Sequence, residues 1–257
     1  MILPPNLMSL WLDNEAQELI SGFWAAAGGE EPFPRTLEDS LQLALPVVLK
    51  HFRGLTTSMA EEWIRSRGRA FTFNTPTRAL HGCMVAAGGR GFIFVDADDS
   101  PEEQRFTLAH EIAHYLADAV SPRLKASERL GPAILEVLDG RRPPNMTERV
   151  GAALHGITIG PTFDLMGRSP GGEAWALWSA ESRADRLALA LLAPPDQVVP
   201  YAQGAAYADR LRSGVAVLVE TCKLPQPIAE RYAAELLARA GRGPRWGESL
   251  RPAGAQP

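Results

Sequence analysis

The sequence predicts an α+β fold, with a short β-rich segment set between helical N- and C-terminal regions. Three observations predict it. Apolar residues at helical spacing occupy the chain to about Gly68 and again from about Ser179. Between them the period shortens, with Phe71 and Phe73 alternating with Thr72 and Asn74. A strongly capped amphipathic helix follows the β-rich run at once.

Taken in order, Asn14 to Ala27 reads as a helix ended by Gly28-Gly29. Leu37, Leu41, Leu45, Val48 and Phe52 stand at helical spacing, so a second helix is expected over Thr36 to His51, kinked or divided at Pro46. Ser58-Met59-Ala60-Glu61 is a capping-box pattern for a third, with Gly68 as its stop and Trp63 and Ile64 as core contacts. A run around Cys83 to Ala87, the turn Gly88-Gly89-Arg90-Gly91 and the run Phe92-Ile93-Phe94-Val95 predict a hairpin. Ser100 is then an N-cap, Pro101 suits the first helical position and Glu103 completes a capping box. That helix is expected to run to about Ala117, burying Phe106, Ala109, Ala113, Leu116 and Val120. Two short helices are expected between Ser121 and Pro170, near Pro132 to Leu138 and Thr147 to Leu154. A long helix from near Ser179 to before Pro194-Pro195 carries Ala184, Leu187, Ala188, Leu191 and Leu192 in one stripe. Helices over Arg212 to Cys222 and Pro227 to Ala240 follow, and the Gly-, Pro- and Arg-rich end from Arg242 is expected to be disordered.

Composition excludes several classes. With 257 residues, 46% of them hydrophobic and 22% charged, the chain can bury a core without help from disulfides. Its two cysteines, Cys83 and Cys222, are far apart and outside any CxxC pair, which points to a reducing compartment and hence the cytoplasm. The opening MILPPNLMSLWLD has no basic n-region and is broken by Pro4 and Pro5, so it is not read as a secretory signal. No apolar run approaches the roughly 18 residues of a membrane span. The net charge of −4 gives no general attraction to nucleic acid. Arg239, Arg242, Arg245 and Arg251 are read as a solvated basic tail, not as a DNA-reading surface.

The chemistry lies in His110-Glu111-Ile112-Ala113-His114. Residues i and i+4 of a helix differ by about 40° in angle and roughly 6 Å in height, so both imidazoles leave one face and can reach one tetrahedral Zn2+. Glu111 lies about 100° round from His110, beside the metal, where it can act as general base. Hydrolytic zinc keeps three protein ligands and one open position, so a third ligand must come from elsewhere. The extended HExxHxxGxxH pattern is absent, because Ala117 and Val120 stand where Gly and His would. His155 and Glu173 are weaker candidates than Glu181, which opens the second strongly periodic helix. Glu181 and Asp185 are i and i+4 and share a face, and Ala184 and Ala188 let that helix approach the Ala109/Ala113 side of the motif helix. Asp185 is then placed to accept a hydrogen bond from the outer nitrogen of a ligand histidine.

Together these segments resemble the ImmA/IrrE family of metallo-endopeptidases. The resemblance rests on Arg105 to Leu116, on the preceding hairpin with its apolar strand and acidic turn, and on Glu181 to Pro194. It covers roughly Ala70 to Pro195. The family typically has Glu where Arg183 stands, Phe at Leu187 and Met at Ala193, so the third-ligand assignment rests on Glu181 alone. The resemblance implies a zincin-like domain over residues 69–195, with a small twisted sheet packed on the motif helix. Helical regions over 1–68 and 196–241 and a tail over 242–257 would flank it. It also implies a protein substrate, a helix-turn-helix repressor in stress-response or mobile-element control.

Further expectations follow for the mechanism. Tyr115 is a weak candidate for stabilising an oxyanion, and the strand Phe92 to Val95 is expected to offer a free edge to an extended substrate. Val215 to Cys222 and Ile228 to Leu237, around Leu224-Pro225-Gln226, form either a helix-turn-helix-like pair or a hairpin packed on the core. Two rival functions stand beside proteolysis. One is a non-catalytic regulator binding a transcription factor or DNA, which would need no Glu111. The other is a zinc hydrolase of small amides, which would need a closed pocket.

Overall fold

The computed structural model describes residues 6–73, 75–155, 157, 160–168 and 175–244, with the side chains of 175–180 left aside. Asn74, Glu173, Arg245 and Arg251 lie outside these residues, as does the expectation of a disordered tail from 245 on. The elements are α1 (Asn14–Ala27), α2 (Glu38–Ala44), β1 (Val47–Phe52), α3 (Thr57–Ser66), β2 (Leu80–Ala87), β3 (Arg90–Asp96), α4 (Pro101–His114), α5 (Ser121–Leu130), α6 (Ile134–Leu138), α7 (Met146–Leu154), β4 (Thr162–Gly167), α8 (Trp175–Leu192), α9 (Tyr207–Glu220) and α10 (Gln226–Arg239). Among the described residues the architecture is α+β with one small sheet, as the sequence predicts, and helices lie on both sides of that sheet.

The four-stranded sheet has the order β1-β3-β2-β4. The predicted hairpin is β2 and β3, antiparallel with Cys83 opposite Phe94. β1 pairs parallel to β3, with Leu49 opposite Ile93, and β4 pairs antiparallel to β2, with Met84 opposite Asp164. This corrects two expectations. The segment Thr36 to His51 is not one helix, because Pro46 ends the helical part and Val47 to Phe52 become a strand. Val47 and Leu49 turn to one face and Phe52 to the other, and Val48 and Phe52, four residues apart, satisfy both the strand period and one helical turn. In consequence, Phe92 to Val95 has no free edge: β1 covers one side of β3 and β2 the other. Among the described strands, the unpaired edge nearest the motif helix belongs to β4, a strand the sequence reading missed.

The two sheet faces carry separate clusters. Cys83, Val85, Phe92 and Phe94 pack with Ala60 and Ile64 of α3 and with Phe71 and Phe73. Met84, Ile93 and Val95 face α4 and join the larger core. That core also takes in Ala109 and Ala113 of α4, Ala184 and Ala188 of α8, and Tyr232 and Leu236 of α10. The C-terminal pair is therefore a helical hairpin packed on the core, with the Tyr232 hydroxyl donating to the Ala193 carbonyl at 2.8 Å. Two of the basic residues expected in a solvated tail are tied down there. Arg239 lies over the Trp11 ring, and Arg242 donates to the Val199 carbonyl at 2.6 Å. No helix among the described residues is long and apolar enough to cross a membrane.

Candidate metal centre

The motif helix starts where the sequence places it. Ser100 Oγ accepts from the Glu103 amide at 3.3 Å, and Glu103 Oε2 accepts from the Ser100 amide at 3.1 Å. Phe106 to His114 are buried without interruption, because the sheet lies on one side of α4 and α8 on the other. The helix does not stop near Ala117. It widens into a π-helical stretch over Tyr115–Val120 and runs on into α5. Pro122 has no N–H to offer the carbonyl four residues back, which is a sufficient local cause for the change of ladder.

His110 and His114 lie with ring centroids 4.8 Å apart, one turn from each other. Each turns Nδ1 outward to a carboxylate. His110 Nδ1 donates to Asp185 Oδ1 at 3.1 Å, and His114 Nδ1 donates to Asp118 Oδ2 at 2.9 Å. Both Nε2 atoms thereby face inward. Glu181 Oε2 stands 3.3 Å from His110 Nε2, and its Oε1 stands 3.9 Å from His114 Nε2. Asp164 Oδ2, from the edge strand β4, stands 3.6 Å from His114 Nε2. His110, His114, Asp164 and Glu181 each present one donor atom, all within 4.8 Å of one another.

This cluster could hold a metal ion. His110 Nε2, His114 Nε2, Asp164 Oδ2 and both oxygens of Glu111 are buried without a hydrogen-bond partner among the described residues. Buried polar groups are otherwise satisfied almost everywhere, so a knot of unpaired donor atoms aimed at one point fits a metal ion. The electrostatics agree. Burial works against charging His110, but the Asp185 and Glu181 carboxylates outweigh it and hold its proton affinity well above the usual imidazole range. Burial and then the Asp164 charge push the Glu111 carboxyl well up, and burial raises that of Asp164. The close approach of His110 lowers that of Glu181.

Glu111 is fully buried at the α4–β2 contact, beside the four donors. Gly82 of β2 makes room for it. A Cβ at that position would overlap Thr107 Cγ2 and come within 3.0 Å of Glu111 Oε1. The register of β2 against β4 shifts between Leu80 and Gly82, an irregularity at the strand end beside the site.

The structure separates the other sequence candidates. Tyr115 turns into the core against Gly91 and Val47, so it does not face the donors. The reason is its place one residue beyond His114, which rotates it toward the sheet. His155 is exposed, with Nδ1 3.3 Å from Arg129 Nη1, and is not part of the cluster. Three residues were missed. Asp164 depends on a strand that went unread, although Thr162-Phe163-Asp164-Leu165 alternates between Gly160-Pro161 and Gly167. Asp118 is four residues after His114 on the same helical run, a spacing that was open to notice. Arg231 donates to Asp185 Oδ2 at 2.9 Å from α10, a contact with no local signal. Arg183, the departure from the family pattern, donates to Asp118 Oδ1 at 2.7 Å.

Residues 65–132 match the family model of the IrrE N-terminal-like domain, Peptidase_M78. Over these residues the chain is similar to the ImmA/IrrE family. The match takes in the hairpin, α4 with His110, Glu111 and His114, and α5. It ends before β4 and α8, so the IrrE N-terminal-like match does not reach Asp164, Glu181 or Asp185, whose places come from the geometry. No curated protein and no solved structure matches the chain.

Proposed function

We propose that the chain is a zinc-dependent endopeptidase. The observation that carries the proposal is the convergence of two histidines and a carboxylate on one point, with the unpaired Glu111 carboxylate beside it. In this reading His110, His114 and Glu181 hold the ion. Glu181 is preferred to Asp164 because its two oxygens face both imidazoles, whereas Asp164 approaches His114 alone. Two imidazoles and a carboxylate are a donor set suited to hydrolytic zinc. A bound Zn2+ would polarise the scissile carbonyl and acidify a water at neutral pH.

The chain's own residues do the rest. Glu111 takes the proton of the attacking water and passes it to the departing amide nitrogen. Asp185 and Asp118 fix the tautomers that point both Nε2 atoms inward. The outer edge of β4, unpaired among the described strands, presents backbone groups to an extended peptide. An open edge beside the donors favours a protein substrate over a small amide.

By its resemblance to ImmA/IrrE peptidases, the proposed substrate is a helix-turn-helix repressor, cut in the cytoplasm, with no sequence-specific DNA binding by this chain. The packing of α10 on the core and the engagement of Arg239 and Arg242 support the last point. The test is to incubate the zinc-loaded protein with repressors encoded by neighbouring genes, with and without chelator, beside a gel shift at about 150 mM salt. Chelator-sensitive cleavage is expected. Tight, sequence-selective DNA binding without cleavage would overturn the proposal in favour of a non-catalytic regulator.

A further inference from the structure

We infer that the protein selects its substrate by one large apolar side chain, seated in a pocket between the start of α4, the end of β4 and the α9–α10 turn. The inference rests on the proposed peptidase reading and assigns its specificity. The cavity measures about 260 Å³ and is walled by Phe106, Met166, Pro225, Pro227 and Ile228.

Three placements connect this cavity to the metal cluster. Phe106 stands one turn before His110 on α4, with the two rings 6.2 Å apart. Thr107, also in the pocket lining, is one turn before Glu111, and both meet β2 at Gly82. Met166 is two residues from Asp164 on β4 and therefore on the same face, about 7 Å along the strand. A peptide laid along the free edge of β4 with its scissile bond at the donors would carry a nearby side chain over Met166.

The far wall is preorganised. Two prolines flank Gln226 and limit the backbone of the turn. Arg105 of α4 donates to the Lys223 carbonyl at 3.2 Å, which fixes the turn against the motif helix. The chemistry of the occupant follows from the lining. A pocket of two rings' worth of proline, an isoleucine, a methionine and a phenylalanine rewards Leu, Ile, Met or Phe. The polar side of the lining is Glu103, held ionised by its bonds to Ser100, and His81, which is engaged by Asp99 at 2.8 Å, so the Glu103 charge is the one that faces an incoming acidic residue and repels it. The space near Tyr115, Asp118 and Thr162 is about 50 Å³, too small for an equivalent side chain, and the cavity of about 360 Å³ beside Glu181 and Asp185 carries Arg186, Arg231 and Glu235 in its lining, so it is charged where this pocket is apolar.

The pocket also gives α9 and α10 a part in recognition without any DNA contact. Their turn forms a wall of the cleft.

Two measurements separate this inference from the peptidase reading. The first is binding, by fluorescence anisotropy, of the Glu111→Gln protein to acetylated hexapeptides that carry Leu, Phe, Ala, Ser or Asp at one scanned position. Leu or Phe is expected to bind at least about tenfold tighter than Ala at a single position, and Asp weakest. Ile228→Trp, which fills the pocket from its rim, should reverse the order of Leu and Ala. Ile228→Ala, a milder change, should shift preference from Leu toward Phe. Equal binding of all peptides, no binding of any, or an order unmoved by both Ile228 variants would overturn the pocket. The second measurement is cleavage of the same peptides by the zinc-loaded wild type. Selective binding without cleavage would leave the pocket standing and sink the peptidase, whereas cleavage indifferent to the scanned side chain would do the reverse.

Discussion

The two histidines of the candidate site are held by unlike means. His114 is steadied by Asp118, one turn further along the same helical run, with Arg183 of α8 behind it. His110 is steadied by Asp185, which lies 75 residues away on α8, with Arg231 of α10 behind it. One half of the cradle thus needs only a continuous helix, while the other needs three helices docked in register. The difference teaches that the His110 half reports on tertiary packing and the His114 half on local structure. A loosening of α8 or α10 should disturb His110 first.

The largest expected effect leaves both halves intact. Glu111→Gln keeps the shape and the zinc but removes the base, so hydrolysis of a confirmed substrate should fall by about 10²–10⁴-fold. Turnover equal to wild type would remove Glu111 from the mechanism. Next come the proposed ligands. His110→Ala and His114→Ala should each lose most of the zinc, because either leaves too few donors, and Glu181→Gln should weaken binding less. Full occupancy in Glu181→Ala, by elemental analysis, would move the third ligand to Asp164.

The comparison itself is tested by Asp185→Asn and Asp118→Asn. Loss of a carboxylate behind a ligand histidine commonly costs about 10–100-fold in metal affinity or activity. Both variants should fall in that range in a chelator competition. They should differ under mild denaturant, where α8 loosens before the α4 helix melts and wild-type zinc is lost through the His110 half. If Asp118→Asn is then the more sensitive of the two, the division into a local and a tertiary half is wrong.

That division also explains what the sequence made legible. His110, Glu111, His114, the Ser100/Glu103 cap and the β2–β3 hairpin are all local patterns, in which spacing alone fixes which side chains share a face. Asp185 was reachable because it stands one turn from Glu181. Asp164 was not, because its role depends on β4 pairing with β2 across the whole motif helix, and a six-residue strand with an inward carboxylate has a weak signature. The misreading of Val47 to Phe52 has the same origin. Its apolar positions satisfy two periods at once, and only the parallel pairing with β3 decides between them. That pairing in turn moved the expected substrate edge from β3 to β4.

The smallest expected effect concerns the two arginines behind the carboxylates. Arg231 and Arg183 are both well exposed, with side-chain exposures of 61% and 43%. An exposed ion pair contributes about 0–1 kcal/mol, since water competes for both charges and salt screens what remains. Arg231→Ala and Arg183→Ala should therefore lower zinc affinity by no more than about fivefold, far less than loss of the carboxylates themselves. Asp185 and Asp118 keep their bonds to the histidines in these variants, so the tautomers that aim both Nε2 atoms inward survive. Arg231→Ala should still be the larger of the two, because it also removes a tie between α10 and α8 on the packing-dependent side. Raising the salt to about 1 M, where the screening length falls to about 3 Å, should erase both effects. A tenfold or greater loss in Arg183→Ala that persists at high salt would mean that Asp118 cannot hold His114 unaided, and the His114 half would then depend on α8 as much as the other.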